Sequence, residues 1–382
     1  MSLVLKSETS AKKVQLEHSK AKVSLYTQYL SIYLNILSRA HAIEKVFIFD
    51  LMCGEGIYQD GSKGSALLAL DKIRQFSDAN PNLGVQIEMW LNDSGVSLVE
   101  KGRNKISRVE EAAQKIKLPP NVLVRYFDKD FRIIFEDVLR VVGELDQARA
   151  FVFIDPHGYK DVKPQDVRAL LRGGKSEVLL FIPASFLYRF LEKSLDPSFS
   201  AGEPLLVFLN ELFRGNTPTF TSIEDFIRGL KLEFKQYLSD MRVFVDTFTI
   251  QRDPRNLYCL YFFTSNLKGY EKMLEVKWRL DDQRGKGFRL EKTADLFSEV
   301  EANNYPQRLL EFVKSANFRT NRDVFVFGLE NGYLAKHTKA AMLSLEAVGN
   351  EFELSPLDGR VLEHRAFHIG DDKRLISISL RH

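Results

Sequence analysis

The chain carries two rhythms of apolar residues. Five short segments, at 46–50, 85–91, 122–126, 150–154 and 178–182, are rich in Val, Ile, Leu and Phe, and four of the five stop at a polar or proline-containing turn. Between them apolar residues return at three- and four-residue steps, the spacing of one helix face. The clearest case comes before the first segment, where Leu25, Tyr29, Leu30, Tyr33, Leu34 and Leu37 line one side of a helix expected over 23–37. Further helices are expected over 66–76, over 97–116 until Pro119-Pro120 stops it, and after Phe131, where Ile133, Ile134, Val138 and Leu139 recur. Strands alternating with helices predict an α/β fold with a parallel, doubly wound sheet.

Residues 184–240 read as largely helical, with breaks at 196–203 and 216–218. Segments 243–250 and 257–264, either side of Arg252-Asp253-Pro254-Arg255, read as an antiparallel pair closing the sheet. A basic stretch follows, with Lys277, Arg279, Arg284, Lys286, Arg289 and Lys292 set against Asp281, Asp282 and Glu291. The domain boundary is placed there, giving a large domain over 1–285 and a smaller one over 286–382. The latter shows a short helix at 308–315, an apolar segment at 324–329, a helix at 335–348, and strand-like segments at 351–354 and 375–380. Helices followed by a hairpin are the order of a winged helix-turn-helix.

Composition narrows the function classes. A length of 382 residues fits two domains, and 45% hydrophobic with 12% aromatic residues, 29 of them Phe, mark a folded chain rather than a disordered one. A formal charge of +3 is too small to bind nucleic acid by bulk electrostatics, so any basic surface must be local. Lys286 and Arg289 in the basic stretch, and Lys336 and Lys339 opening the helix at 335, are the candidates for phosphate contact. Cys53 and Cys259 are too few for a disulfide framework or a zinc site, which points to a reducing compartment. Residues 1–22 lack an apolar signal core, and no stretch approaches the ~20 apolar residues of a membrane span. A cytoplasmic protein with no membrane contact is expected.

The first strand runs Val46-Phe47-Ile48-Phe49-Asp50 into Leu51-Met52-Cys53-Gly54-Glu55-Gly56. Glycines at 54 and 56 let the backbone pass close under a ligand, but position 59 is Gln59, so the third glycine of a dinucleotide fingerprint is missing. An acid at the strand end followed by Gly-x-Gly fits an S-adenosylmethionine loop better than an NAD loop. Later strands also end in acids: Asn92-Asp93, Asp130 and Asp155. Asp50 is placed to orient the loop, Asp93 to accept from ribose hydroxyls, Asp130 to meet the adenine amino group, and Asp155 to face the transferred methyl. Taken singly, Asp93 and Asp130 suit helix caps equally well.

The runs His18-Ser19-Lys20-Ala21-Lys22, Phe49-Asp50-Leu51-Met52-Cys53-Gly54-Glu55-Gly56-Ile57-Tyr58, Gly61-Ser62-Lys63-Gly64-Ser65-Ala66-Leu67 and Phe153-Ile154-Asp155-Pro156-His157-Gly158 resemble the three-Cys-motif partner family, TcmP. The resemblance implies a class I methyltransferase-like, Rossmann-like domain with a C-terminal winged helix, S-adenosylmethionine as cofactor, and a radical-SAM-like protein partner carrying three cysteines. It also implies a mobile-element or phage-defence setting with nucleic acid as target. The family usually has an aromatic after Asp-Pro, where this chain has His157, and an acid-rich second strand end, where it has Asn92-Asp93.

Methylation of an exocyclic amine needs acceptors that hold the amino group. Asp155 and the Pro156 carbonyl supply two, while a stacking ring would have to come from Tyr159, one residue late. His157, with an ordinary pKa near ~6.5, suits a general base, and equally a solvated loop position. Lys20 and Lys22 suit phosphate, a protein partner or a solvated helix start. Cytosine C5 chemistry is disfavoured because no cysteine follows the fourth strand. A non-catalytic adaptor with a degenerate methyltransferase fold is the alternative. A nuclease fits less well, since the acids are spread along a sheet edge and not gathered around one ion.

Overall fold

Strand β1 (Lys45–Asp50) is the middle one of five parallel strands in an eight-stranded sheet, with Val46, Ile48 and Phe49 fully buried. In the computed structural model, which describes residues 17–81, 84–156, 161–194, 203–253, 256–281, 287–288, 304–362 and 364–381, it pairs in parallel with β2 (Gln86–Asn92) and β4 (Ala148–Ile154). Outward lie β3 (Val122–Phe127) on one side and β5 (Ser176–Ile182) on the other, both parallel. Beyond β5 the direction reverses: β7 (Asn256–Thr264) runs antiparallel to both β5 and β6 (Phe244–Asp253), and a two-residue strand β8 (Gly287–Phe288) ends the order 3-2-1-4-5-7-6-8. The doubly wound sheet with its antiparallel closing pair is therefore present.

Helix α1 (Glu17–Leu37) covers one face by aromatic packing. Its Tyr26 stacks on Phe153 at 4.5 Å between centroids, and Tyr29 packs on Phe151 at 5.5 Å and edge-on against Phe262 at 5.0 Å. Then come α2 (Ser65–Ala79), α3 (Lys105–Ala113), α4 (Phe131–Gly143), α5 (Pro164–Leu171), α6 (Ala184–Ser194), α7 (Glu203–Phe213) and α8 (Ile223–Tyr237). Two features differ from expectation. The helix expected over 97–116 starts only at Lys105, because residues 95–104 form a turn in which Lys105 N–H bonds Gly95 O at 2.9 Å and Ser97 N–H bonds Arg103 O at 2.7 Å. Helix α5 carries little periodic signal, since only Val167, Leu170 and Leu171 mark its apolar face; Asp166 fixes its start by accepting from Lys163 N–H at 2.7 Å.

Two compact units divide the chain: Met1–Asn266 with Gly287–Leu290, and Leu267–Lys286 with Glu291–His382. The second opens with helix α9 (Leu267–Leu280), so residues 277–280 of the basic stretch end a helix, with Lys277 buried. It continues through α10 (Tyr305–Lys314), β9 (Arg319–Thr320), α11 (Asn321–Glu330), α12 (Ala335–Ala347), β10 (Phe352–Pro356) and β11 (Ile376–Leu380), the strands ordered β10-β11-β9. The apolar segment at 324–329 thus lies inside a helix, started by a reciprocal cap between Thr320 and Asp323. Buried Asn321 bonds His368 O, Arg374 O and Ile376 N–H at 2.7–3.0 Å, so one amide ties α11 to the returning strand. Among the described residues no helix is long and apolar enough to cross a membrane.

Beneath α1 the Glu177 carboxylate is buried and accepts from the Tyr29 and Thr264 hydroxyls. Burial pushes it up to about 7 against the pull of those hydroxyls. Between its ordinary value near ~4.3 and that value, the folded chain keeps a proton that the unfolded chain has lost, so this carboxyl makes stability fall as pH rises across the window and leaves it flat above. Glu177→Gln is expected to lessen that slope, its stability relative to the parent rising by about 2 kcal/mol between pH 5 and pH 8 in urea denaturation. A pH-independent difference would show that Glu177 is ionised in the folded protein.

Candidate functional site

The loop after β1 is built around a buried carboxylate. Ser65, the first residue of α2, donates its hydroxyl to Asp50 Oδ2 at 2.8 Å, while Asp50 Oδ1 is buried and makes no hydrogen bond. Between them the backbone is held by Cys53 N–H on Asn92 O at 2.9 Å and Gly64 N–H on Gly56 O at 2.6 Å. Gly54 and Gly56 both adopt left-handed backbone, with φ of 71° and 74°. Their surroundings differ. A Cβ on Gly56 would stand 3.0 Å from Val109 Cγ2 and 3.3 Å from Val109 Cα, so this glycine admits α3 against the loop. A Cβ on Gly54 would meet nothing within 4 Å, so the space beside it is open.

The second strand end holds the loop in place. Asp93 is buried, accepts from Gly54 N–H at 3.0 Å and Gly95 N–H at 2.8 Å, and pairs with Lys105 at 3.1 Å. Asn92 bridges Leu51 O and Lys129 O at 3.0 and 3.1 Å, joining the ends of β1, β2 and β3. Asp130 is exposed and caps α4 by accepting from Arg132 N–H at 2.8 Å, which gives it the structural task left open by the sequence. Glu55 was not singled out, yet it accepts from Ser97 Oγ and Arg108 at 2.6 Å each, pinning the turn before α3 to the loop.

The strand order reverses between β1 and β4, so Asp50 and Asp155 project from neighbouring strands at the point where the crossovers turn opposite ways. Asp155 is paired with Lys22 of α1, whose ammonium also lies 4.5 Å from the centroid of the Phe181 ring. One turn along α1, the Tyr26 hydroxyl is buried and makes no hydrogen bond. Burial pushes Asp50 up to about 7; the Ser65 hydrogen bond opposes this, the Asp155 carboxylate adds to it, and Lys22 pulls back. Tyr26 is raised by burial and then by the Asp50 carboxylate. Tyr26 stands outside the apolar stripe expected for this helix and Lys22 precedes its expected start, so the one signal for either is their four-residue spacing, which puts them on one helix face. His157 lies outside the described residues.

In the second unit, Lys336 and Lys339 lie in the first turns of α12, while Lys286 and Arg289 lie outside the described residues. Lys336 joins Trp278, Arg279 and His337 in lining a groove of about 580 Å³. The His337 ring lies 4.1 Å from that of Trp278, tilted by 40°, its Nδ1 accepts from Leu334 N–H at 3.2 Å, and burial with Lys336 beside it holds the imidazole below its usual value.

No protein-family model matches the chain, and no curated protein matches it. Among solved structures, it is similar to Trm1 from Pyrococcus horikoshii, solved as a complex with S-adenosyl-L-methionine, at 14% identity over 95% of this chain and 91% of that one, with a TM-score of 0.35. It is also similar to an O-methyltransferase from Bacillus cereus, solved in complex with SAH, at 10% identity over 68% and 88%, with a TM-score of 0.32. A third is a putative O-methyltransferase from Klebsiella pneumoniae, at 11% identity over 63% and 80%, with a TM-score of 0.30.

The two glycines predict different costs. Gly54→Ala is expected to lose about 1 kcal/mol in chemical denaturation, the cost of left-handed backbone alone. Gly56→Ala adds a collision with Val109 and is expected to lose about 2–3 kcal/mol. Equal losses would mean that the loop moves freely away from α3.

Proposed function

We propose that this chain is an S-adenosylmethionine-binding, methyltransferase-like protein acting on or with nucleic acid. The observation that carries the reading is the position of the Gly54–Gly56 loop: it follows the central strand at the topological switch, where doubly wound sheets bind ligands. The residues present fit the cofactor. Open space beside Gly54 admits a ligand against bare main chain, and the orphaned Asp50 Oδ1 and Tyr26 hydroxyl offer buried partners for its amino-acid end. Asp93 acts through the loop it anchors, and Asp130 stands at the rim. When bound, the cofactor supplies an electrophilic methyl group on sulfur.

Asp155 and the Pro156 carbonyl are assigned to the acceptor's amino group, and His157 to its proton. The order α10, β9, α11, α12 and the β10/β11 hairpin is read as a winged helix, with Lys336 and Lys339 toward phosphate. Lys286 and Arg289 are proposed to add to that basic surface. Membership of the three-Cys-motif partner family, a radical-SAM-like partner and a phage-defence setting are part of this proposal and rest on the resemblance. A second reading is favoured by the Lys22–Asp155 pair, which occupies the acceptor-side acid: a non-catalytic adaptor that keeps the cofactor fold.

Calorimetry with S-adenosylmethionine is expected to show binding that Gly54→Asn weakens at least about 10-fold while the melting temperature stays within a few degrees, because Asn tolerates left-handed backbone but fills the open space. Unchanged affinity would remove the pocket. Labelled methyl transferred to bulk RNA or DNA by the parent, and lost in Asp155→Asn, is expected of the enzyme; cofactor binding without transfer identifies the adaptor.

A further inference from the structure

Lys22 makes two contacts at the end of β4, and they are of different kinds. Its ammonium donates to the Asp155 carboxylate, and it stands 4.5 Å from the centroid of Phe181. Phe181 is half-buried and stacks on half-buried Tyr258 of β7, with centroids 5.2 Å apart and planes 29° from parallel. The rings continue the sheet face that α1 seals further along with Tyr26 and Tyr29. At the strand ends the described cover is thinner, a lysine side chain 15% exposed over an aspartate side chain 22% exposed. Arg252 reaches the Tyr258 hydroxyl at 3.4 Å while lying 3.9 Å from the Asp253 carboxylate, and exposed Arg189 of α6 reaches Asn256, two residues before Tyr258, at 3.3 Å.

We infer that Lys22 is a displaceable occupant of the acceptor subsite, and that the group which displaces it is an amino-bearing nucleobase. Such a base makes both contacts at once: its exocyclic N–H donates to Asp155 and its ring lies on Phe181, in the place of the ammonium. A base with a carbonyl at that position turns an acceptor toward the carboxylate and is rejected, as sites built around one hydrogen-bond polarity reject the opposite one. The bordering arginines suit the phosphates on either side. Lys22 thereby selects: a weak or wrongly polarised ligand does not repay the loss of its ion pair. The inference rests on reading the β4 end as the acceptor side of the proposed methyl-transfer site.

The test uses the full chain with Lys22→Met, which keeps the stem and removes the charge, and fluorescein-labelled oligocytidylate and oligouridylate, whose bases differ chiefly in amino against carbonyl. Lys22→Met is expected to bind oligocytidylate about 5-fold or more tighter than the parent, with no gain for oligouridylate, and adding Phe181→Ala is expected to erase the gain. Lys22→Arg, which keeps a cation, is expected to behave like the parent and controls for folding. Weaker binding of both oligomers by Lys22→Met would make Lys22 an ordinary phosphate contact, and an equal gain for both would remove the selection by Asp155; either overturns the inference. S-adenosylmethionine calorimetry on the same variant separates the two readings. Cofactor binding without the cytidine gain sinks only the role of Lys22, whereas no cofactor binding by the parent sinks the pocket itself.

Discussion

A carboxylate buried at the end of the central strand governs the geometry around it. Asp50 has one oxygen satisfied by Ser65 and one satisfied by nothing, in a place where an unpaired polar atom is costly. The first bond sets where α2 begins and therefore how tightly the glycine loop turns. The second oxygen is a standing deficit that the fold tolerates. Around it, Asp93 and Asn92 hold the loop from the adjoining strand, and Glu55 pins the following turn. The acids along this sheet edge thus divide into Asp93 and Glu55, whose oxygens hold protein, and Asp50, which keeps one buried oxygen unpaired.

That division was the hardest part to read from sequence. The parallel strands were legible because apolar runs with polar ends leave little else to fold into, and the hairpin of β6 and β7 because turn residues sit between two β-rich segments. Asp50 and the glycines were legible from their spacing. The partners of Asp93 were not, since Lys105 is 12 residues away and meets it only through an irregular turn. The pairing of Lys22 with Asp155 spans 133 residues and leaves no local trace beyond the sheet-facing stripe of α1. Helices α5 and α9 were missed for opposite reasons, one being too short for its period to show and the other masked by its charges.

The second unit depends on polar groups in its interior more than its composition suggests. Asn321 is buried and spends its whole amide on three backbone groups, fixing the returning strand against α11. Gly328 serves the same closeness from the other side, since a Cβ there would lie 2.2 Å from the Thr338 hydroxyl, which itself bonds Tyr305. Two helices pressed together by a missing side chain present the first turns of α12 at a defined angle to their own small sheet.

Helix α1 leads the chain yet lies on strands made much later. Its aromatic stripe leaves the ribosome long before Phe151 and Phe153 of β4, and Phe262 follows more than a hundred residues after them. Until β4 emerges, Tyr26, Tyr29 and Tyr33 lack the rings on which they pack, so this face of α1 is completed only after the strands before it. Such an order of events makes the seal between α1 and the sheet a contact of long sequence separation, and hence a late step of folding.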